Sequence, residues 1–278
     1  IIQDREGNYW LTSTGNGLFL LPSAQFDHFP LESNEVYYVQ DMFMHKDRIL
    51  FSVLNEDLYS FSFNDNQIRK MEGIQRSSYV KNLFVDSTNR LHTVESIYQV
   101  SRIHENILIP EVGLPLYGYS LCPSHQGGVW IGSSNYALRV ESGQEIQRIP
   151  SSNRVIYLNE TSADTLWIGS LEELYMYTGD SLHNFSEEFE IPKFRVAEVC
   201  EFQYALCIAT RGLGMYLLNS SKDAIQLINR EQGLTSNNIF SIYNDGDSIL
   251  WIGTNKGLDC MYRFGEDSLY FKHYTVWD

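Results

Sequence analysis

The stretch SILWIGTNKGLDCMYR, residues 248–263, decides the fold. It has an apolar segment around Trp251, a turn at Asn255, Lys256 and Gly257, and a second apolar run that begins at Leu258. Short runs of aromatic and β-branched residues, broken by Asn and Gly, are typical of two β-strands joined by a hairpin turn. Because similar triplets occur elsewhere in the chain, the stretch is one copy of a repeat.

Positions equivalent to Trp251 follow one another about every 40 residues, which is the signature of a repeat architecture. They are Trp10, Leu50, Leu91, Trp130, Trp167, Cys207 and Trp251. In each copy an apolar stretch precedes this position, and a short strand and an aromatic tail follow it, so each repeat is predicted to form four strands. Helical repeats are disfavoured, because no segment keeps a 3.6-residue period between its turns.

A lone four-stranded sheet has two faces to bury, whereas sheets arranged radially cover one another. We therefore predict an all-β fold, a seven-bladed β-propeller with four antiparallel strands per blade. The chain is expected to be a single propeller over 1–278 and an excerpt of a longer multidomain protein, since its first repeat starts part-way through. The repeats are predicted at approximately 1–33, 34–75, 76–113, 114–150, 151–189, 190–232 and 233–278.

The composition excludes some classes of partner. The chain has 35 acidic against 20 basic residues, a net charge of -15, which opposes binding to nucleic acid. Four cysteines without a CxxC pair indicate neither a disulfide scaffold nor a zinc site. Cys200 and Cys207 flank the first turn of the sixth repeat and are expected to lie opposite each other, with two separate thiols favoured over a disulfide.

Motifs for catalysis or metal binding are missing from the sequence. It contains no HExxH, GxSxG, P-loop or GxGxxG motif, and no two histidines have i, i+4 spacing. We predict no catalytic residue, no metal and no cofactor, and we interpret the acidic pairs at 56–57 and 172–173 as solvated turn residues. The repeated tryptophans are predicted to be structural and to pack between blades. They are Trp10, Trp130, Trp167 and Trp251.

The seventh repeat closely resembles the two-component regulator propeller repeat. The residues that carry this resemblance are 233–245, the segment from Leu250 to Leu258 and the tail from Phe271 to Tyr274. Repeats 1, 4 and 5 match well, whereas repeats 2, 3 and 6 depart at the Trp position. The resemblance implies a periplasmic sensor region of a Bacteroidetes-type hybrid two-component histidine kinase, whose neighbours in the chain are a second propeller or an immunoglobulin-like domain.

Ligand-binding candidates lie in the loops of one predicted face, where the linkers between blades meet the turns between second and third strands. Tyr117 and Tyr119 are candidates for stacking on a sugar. Acidic residues outnumber basic ones in these loops, which favours a neutral ligand or a basic protein partner. Polar candidates for the same site are Asn16, Asn135, Arg154, Arg211 and Lys256.

The leading interpretation is a non-enzymatic sensor module that detects an oligosaccharide, or another small ligand, and relays the signal to a histidine kinase. Two alternatives stay open. One is a structural spacer propeller that mediates contacts between proteins or domains, including those of a homodimer. The other is a propeller lyase or hydrolase, for instance of the virginiamycin-inactivating type, because fold alone does not decide function.

Overall fold

The described part of the chain is almost entirely β-structure, and the chain divides into two compact units. The N-terminal unit comprises Ile2–Glu160, and the C-terminal unit comprises Thr161–Asp278 together with Ile1. The computed structural model describes residues 1–3, 9–13, 17–21, 27–29, 31, 38–54, 56–73, 80–94, 98–161, 165–179, 181–203, 205–219, 225–246, 249–264 and 268–274.

The N-terminal unit contains four complete blades and one further strand. In every blade the strands are antiparallel and pair in chain order. The first two blades are β1 (Ile2–Gln3), β2 (Tyr9–Ser13), β3 (Gly17–Leu21), β4 (Asp27–Phe29), and β5 (Val39–His45), β6 (Arg48–Val53), β7 (Leu58–Ser62), β8 (Gln67–Lys70). The remaining strands are β9 (Asn82–Val85), β10 (Arg90–Val94), β11 (Tyr98–His104), β12 (Ile107–Leu114), then β13 (Ser120–Pro123), β14 (Val129–Gly132), β15 (Tyr136–Glu141), β16 (Gln144–Pro150), and finally β17 (Val155–Glu160).

The C-terminal unit contains three strands of one repeat followed by two complete blades. A short helix, capped by the Asn184 side chain, follows the third of these strands. The elements are β18 (Thr165–Ser170), β19 (Leu174–Thr178), β20 (Ser181–Asn184), α1 (Phe185–Glu188), then β21 (Arg195–Phe202), β22 (Ala205–Arg211), β23 (Met215–Asn219), β24 (Ile225–Ile228), and β25 (Ile239–Asn244), β26 (Leu250–Thr254), β27 (Gly257–Phe264), β28 (Ser268–Tyr274).

The number of blades corrects the sequence-based prediction. The all-β fold and the four antiparallel strands per blade are as expected. The prediction of seven blades is wrong, because among the described residues six blades have all four of their strands within one compact unit. The strands of the fifth repeat are divided, with β17 in the N-terminal unit and β18–β20 in the C-terminal unit. Repeats in the sequence indicate which segments form strands. They do not indicate which compact unit each strand packs in, so the number of complete blades could not be read from the number of repeats.

Packing between adjacent blades forms the core of each unit. In the N-terminal unit, buried Trp10 of β2 contacts Phe61 of the second blade at 4.4 Å between ring centroids. The ring centroid of the same indole lies 5.1 Å from that of Phe63, which follows β7 of the second blade, and 5.4 Å from that of Phe29 in its own blade. In the C-terminal unit, one apolar cluster includes Cys207 of the sixth repeat and Ile252 of the seventh. The blades therefore bury their faces against one another.

Side chains on the first strands also join neighbouring blades of the N-terminal unit. Asp41 Oδ2 of β5 accepts hydrogen bonds from the Leu83 amide (2.8 Å) and from Asn82 Nδ2 (2.6 Å) of the third blade. Asn82 Oδ1 in turn accepts one from the Leu121 amide of the fourth blade (2.6 Å). Burial raises the pKa of Asp41 to about 6, against the effect of these donors. The blades thus share a chain of polar contacts.

The C-terminal unit has a related contact between its two complete blades. Glu198 Oε2 of β21 accepts a hydrogen bond from the Ile242 amide of β25 at 2.8 Å. Like Asp41, Glu198 lies beside a register irregularity in the first strand of its blade. Such bulges redirect a side chain, and here the redirected carboxylate satisfies a backbone donor of the next blade.

Gly132 shows why the Trp segment needs a small residue at its third position. A Cβ atom at Gly132 would lie 2.2 Å from Ser120 Oγ and 2.7 Å from the backbone oxygen of Val155 in β17. At Gly253 the nearest atom is Ser241 Oγ at 2.8 Å, a side-chain atom of its own blade. Gly132 therefore allows a close approach of backbones that a methyl group would prevent.

We expect Gly132→Ala to destabilise the protein by about 1–3 kcal/mol, because the new methyl group overpacks against a backbone oxygen. Gly253→Ala is the matched control and should have a smaller effect, since a serine hydroxyl can rotate away. Urea denaturation followed by circular dichroism measures both free energies of unfolding. Equal losses in the two variants would contradict the explanation.

Candidate functional site

The linker before the fourth blade holds the two tyrosines that were predicted to bind a ligand. The Tyr119 amide donates to the Gly132 carbonyl (2.7 Å), and Ser133 Oγ donates to the Tyr117 carbonyl (2.9 Å). Between the tyrosines, a Cβ atom at Gly118 would lie 2.4 Å from a methyl carbon of Val94. The linker is thus anchored closely on the blade, with an aromatic side chain on each side of the buried glycine.

The two tyrosine rings form one cluster with two basic side chains. The Tyr117 and Tyr119 centroids lie 5.0 Å apart in an edge-to-face arrangement. Arg154 Cζ lies 4.3 Å from the Tyr119 centroid, and Lys81 Nζ lies 4.5 Å from it and 5.1 Å from that of Tyr117. All these separations fall within the range of favourable cation–π contact. The structure therefore brings together Tyr117, Tyr119 and Arg154, three of the residues that were predicted to bind a ligand.

Lys81 belongs to this cluster but was missed from the sequence. Its ammonium group also donates to the Tyr117 hydroxyl at 3.4 Å. A signal was present, because Lys81, Tyr119 and Arg154 each directly precede the first strand of their repeat. Comparing this one position across consecutive repeats would have indicated that the three side chains are neighbours.

Exposure distinguishes the two rings as possible platforms for a ligand. Tyr117 is 43% exposed, whereas Tyr119 is half-buried between the basic groups. A sugar ring presents C–H groups that pack on an open aromatic face, and its hydroxyls accept hydrogen bonds from Lys and Arg. Tyr117 is therefore the ring available for stacking, while Tyr119 supports it from below.

The other predicted polar residues lie apart from this cluster or outside the described residues. Asn135 is an exposed residue of the β14–β15 turn, and its carbonyl accepts from the Ser151 amide at 2.8 Å. Arg211 and Lys256 are exposed residues of the C-terminal unit, at the end of β22 and in the β26–β27 turn. Asn16 lies outside the described residues.

All four tryptophans of the repeat are buried, with exposures of 1% to 4%. The Trp130 indole donates to Glu160 Oε1 at the end of β17 (3.1 Å). Trp167 packs edge-to-face on Phe185 of α1, and Trp251 stacks with Tyr274 of its own blade. None of these indoles presents an open face to a ligand.

Two kinds of titratable cluster can be assessed among the described residues, possible metal ligands and the cysteine thiols. Among the described residues, no three His, Cys, Asp or Glu side chains lie close enough to hold a metal ion. Cys200 and Cys207 are free thiols and direct cross-strand partners, as expected from the turn. The neighbouring Cys207 thiol, together with burial, raises the pKa of Cys200, which opposes formation of a nucleophilic thiolate.

Comparison with protein families identifies one segment. Residues 233–256 match the family model described as "Two component regulator propeller". This match confirms the resemblance that was noted in the seventh repeat. Comparison with curated protein sequences gives no significant match.

Solved structures with the same fold include the following three kinds of protein. The extracellular domain of BT4673 from B. thetaiotaomicron, assigned to a hybrid two component system, has a TM-score of 0.76 and 18% identity over 95% of this chain and 38% of its own. PorZ of the type-IX secretion system of Porphyromonas gingivalis has a TM-score of 0.67 and 14% identity over 91% of this chain and 44% of its own. Virginiamycin B lyase from Staphylococcus aureus, bound to quinupristin, has a TM-score of 0.75 and 13% identity over 92% of this chain and 90% of its own.

These likenesses show a β-propeller fold, which is shared by an extracellular two-component domain, a secretion-system surface component and a lyase. The chain spans 38% of the length of the two-component structure. In the part of the chain that the structure describes, no helix is long and apolar enough to cross a membrane.

Proposed function

We propose, from the match of residues 233–256 to the two component regulator propeller, that this chain is a sensor module of a two-component signalling protein. In this proposal the module lies in the periplasm, binds an oligosaccharide and relays the signal to a histidine kinase in the same protein. Neighbouring propeller or immunoglobulin-like domains, or a second copy of the chain, would respond to the bound state. The segment itself is proposed to be non-enzymatic.

The cluster around Tyr117 is the single observation that carries ligand binding. It combines an open aromatic face with the Lys81 and Arg154 side chains as hydrogen-bond donors. Pockets for small ligands typically combine apolar or aromatic surface with a few convergent polar groups. Because the rings and cations already contact each other without a ligand, little ordering of side chains would accompany binding.

Isothermal titration of the chain with neutral oligosaccharides of three to five sugars, such as maltotetraose and xylotetraose, tests this proposal. We expect at least one to bind, and Tyr117→Ala to weaken its affinity about tenfold or more, because an aromatic platform at a binding site is typically worth more than 1 kcal/mol. Tyr117→Phe, which keeps the ring, should retain most of the affinity.

Tyr270→Ala is the matched control, since Tyr270 is 58% exposed on β28 of the other unit. It should bind as the unchanged protein does. Binding that Tyr117→Ala leaves intact would remove the site from this cluster. Absence of binding by every sugar, together with a response of a longer protein to one of them, would favour the spacer alternative.

A further inference from the structure

Two arginines of the C-terminal unit face each other on neighbouring strands. Arg195 begins β21, Arg211 ends β22, and the two are direct register partners. Like charges opposite each other on antiparallel strands destabilise the pair. Both residues are exposed at this end of the blade, and directly opposed residues of antiparallel strands project from the same face of the sheet, so a ligand can reach both side chains from one side.

The described residues provide no carboxylate partner for either guanidinium. Other arginines of this acidic chain form ion pairs, including Arg90 and Arg102 with Glu111, and Arg148 with Glu145. Within the described part of the chain, no ion pair within 4.0 Å involves Arg195 or Arg211. Two opposed arginines without a carboxylate partner therefore form a local positive site in a chain whose net charge is -15.

Arg211 is held in place by the next blade. Its Cζ atom lies 4.3 Å from the centroid of the Phe240 ring in β25. Its backbone forms an antiparallel bridge with Asn238, and the following Gly212 amide donates to the Asn237 carbonyl at 3.0 Å. The aromatic contact positions the guanidinium and supplies no oxygen acceptor, so its hydrogen-bonding capacity is left for another group.

The electrostatic state of Arg211 agrees with an uncompensated positive site. Arg211 is exposed as a whole residue, but its guanidinium is partly covered by the Phe240 ring; this partial burial, with the charge of Arg195 as a smaller cause, lowers the pKa of Arg211 to about 10. The side chain is therefore still protonated at neutral pH, although its surroundings oppose the charge. A bound anion would compensate the positive charge and so offset both effects.

We propose that Arg195 and Arg211 form a binding site for the acidic group of an oligosaccharide, either a uronate carboxylate or a sulfate ester. Guanidinium groups bind such oxyanions through paired, charge-assisted hydrogen bonds. The choice of a sugar rests on the proposed function, whereas the oxyanion chemistry rests on the arginines alone. This local site outweighs the acidic excess of the surrounding loops, which had favoured a neutral ligand.

Isothermal titration at constant ionic strength tests the site with four probes: trigalacturonate, a sulfated chondroitin disaccharide, neutral maltotriose and sodium sulfate. We expect at least one acidic sugar to bind, and Arg195→Gln and Arg211→Gln each to weaken it about tenfold or more, as for loss of a charged hydrogen bond. Arg211→Lys, which keeps the charge but loses the paired geometry, should give an intermediate loss.

Arg102→Gln is the matched control, because it removes the same charge from an exposed arginine that is already paired with Glu111. It should leave affinity unchanged, and without ligand Arg195→Gln should keep or raise the melting temperature because repulsion is relieved. Unchanged affinity in the glutamine variants, an equal loss in Arg102→Gln, or binding of inorganic sulfate without either acidic sugar would overturn the assignment.

The same titrations separate this site from the one around Tyr117. Loss of acidic-sugar binding in the arginine variants, with Tyr117→Ala unaffected, would support this site and show that the acidic sugar does not bind at Tyr117, whose own test is the binding of neutral sugars. The reverse pattern would overturn only the assignment to Arg195 and Arg211.

Discussion

Trp10→Ala is expected to lower the free energy of unfolding by about 3–5 kcal/mol, the range for removing a fully buried aromatic side chain from a core. The indole is 1% exposed and touches three phenylalanine rings, two of them in the next blade. Because the neighbouring strands are joined to their own blades by backbone hydrogen bonds, they cannot collapse fully into the cavity. The loss should therefore lie toward the upper end of this range.

The measurement is urea denaturation followed by tryptophan fluorescence and circular dichroism. Trp10→Phe keeps a ring at the site and should lose clearly less stability than Trp10→Ala. Tyr270→Ala removes an exposed aromatic residue and should stay within about 0.5 kcal/mol of the unchanged protein. A Trp10→Ala variant as stable as Tyr270→Ala would show that the indole does not hold the blades together.

Asp259→Ala is the second change with a large expected effect, a loss of about 2–4 kcal/mol. Asp259 is fully buried in β27. Its Oδ2 accepts from the Thr235 amide (2.8 Å) and hydroxyl (3.0 Å), and its Oδ1 accepts from His273 Nδ1 (2.9 Å). Removing the carboxylate leaves the partly buried amide and hydroxyl of Thr235 without this acceptor, at about 1–3 kcal/mol for each group that stays unsatisfied, whereas the exposed His273 can turn to water.

Two milder variants separate the contributions of this network. Thr235→Val removes one hydroxyl donor and leaves the backbone contact, so it should lose about 1 kcal/mol. Asp259→Asn keeps one acceptor oxygen and should fall between Thr235→Val and Asp259→Ala. Differential scanning calorimetry of the three variants gives the order, and a different order would show that the network does not stabilise the linker in this way.

Local features of the fold were readable from the sequence because they repeat. Residues 248–263 were predicted to form a strand around Trp251, a turn and a second strand. The structure has these elements, and Gly257 at the turn has a φ of 127°. The pairing of Cys200 with Cys207 also followed from the turn between them. These inferences need only neighbours within one hairpin, where spacing along the chain determines which residues meet.

Contacts between blades were not readable in the same way. The hydrogen bonds of Asp41 with Leu83 and of Glu198 with Ile242 join residues about 40 positions apart, and neither acid stands out in the sequence. Lys81 was missed at the tyrosine cluster for the same reason. Arg195 and Arg211 belong to one hairpin, and this pair was missed because the register irregularity between Val196 and Glu198 shifts the pairing by one residue. The division of the fifth repeat between two units likewise depends on packing rather than on strand propensity.

The close approach at Gly132 has a consequence for the ancestry of such chains. The tryptophan is replaced by Leu50, Leu91 and Cys207 in the weaker repeats, yet the third residue of every triplet stays small. These residues are Thr12, Ser52, Thr93, Gly132, Gly169, Ala209 and Gly253. The tryptophan can be exchanged for another apolar side chain, whereas no repeat carries a side chain larger than threonine at the third position. We therefore expect diverging copies of this repeat to lose their tryptophan first and to keep the small residue longest.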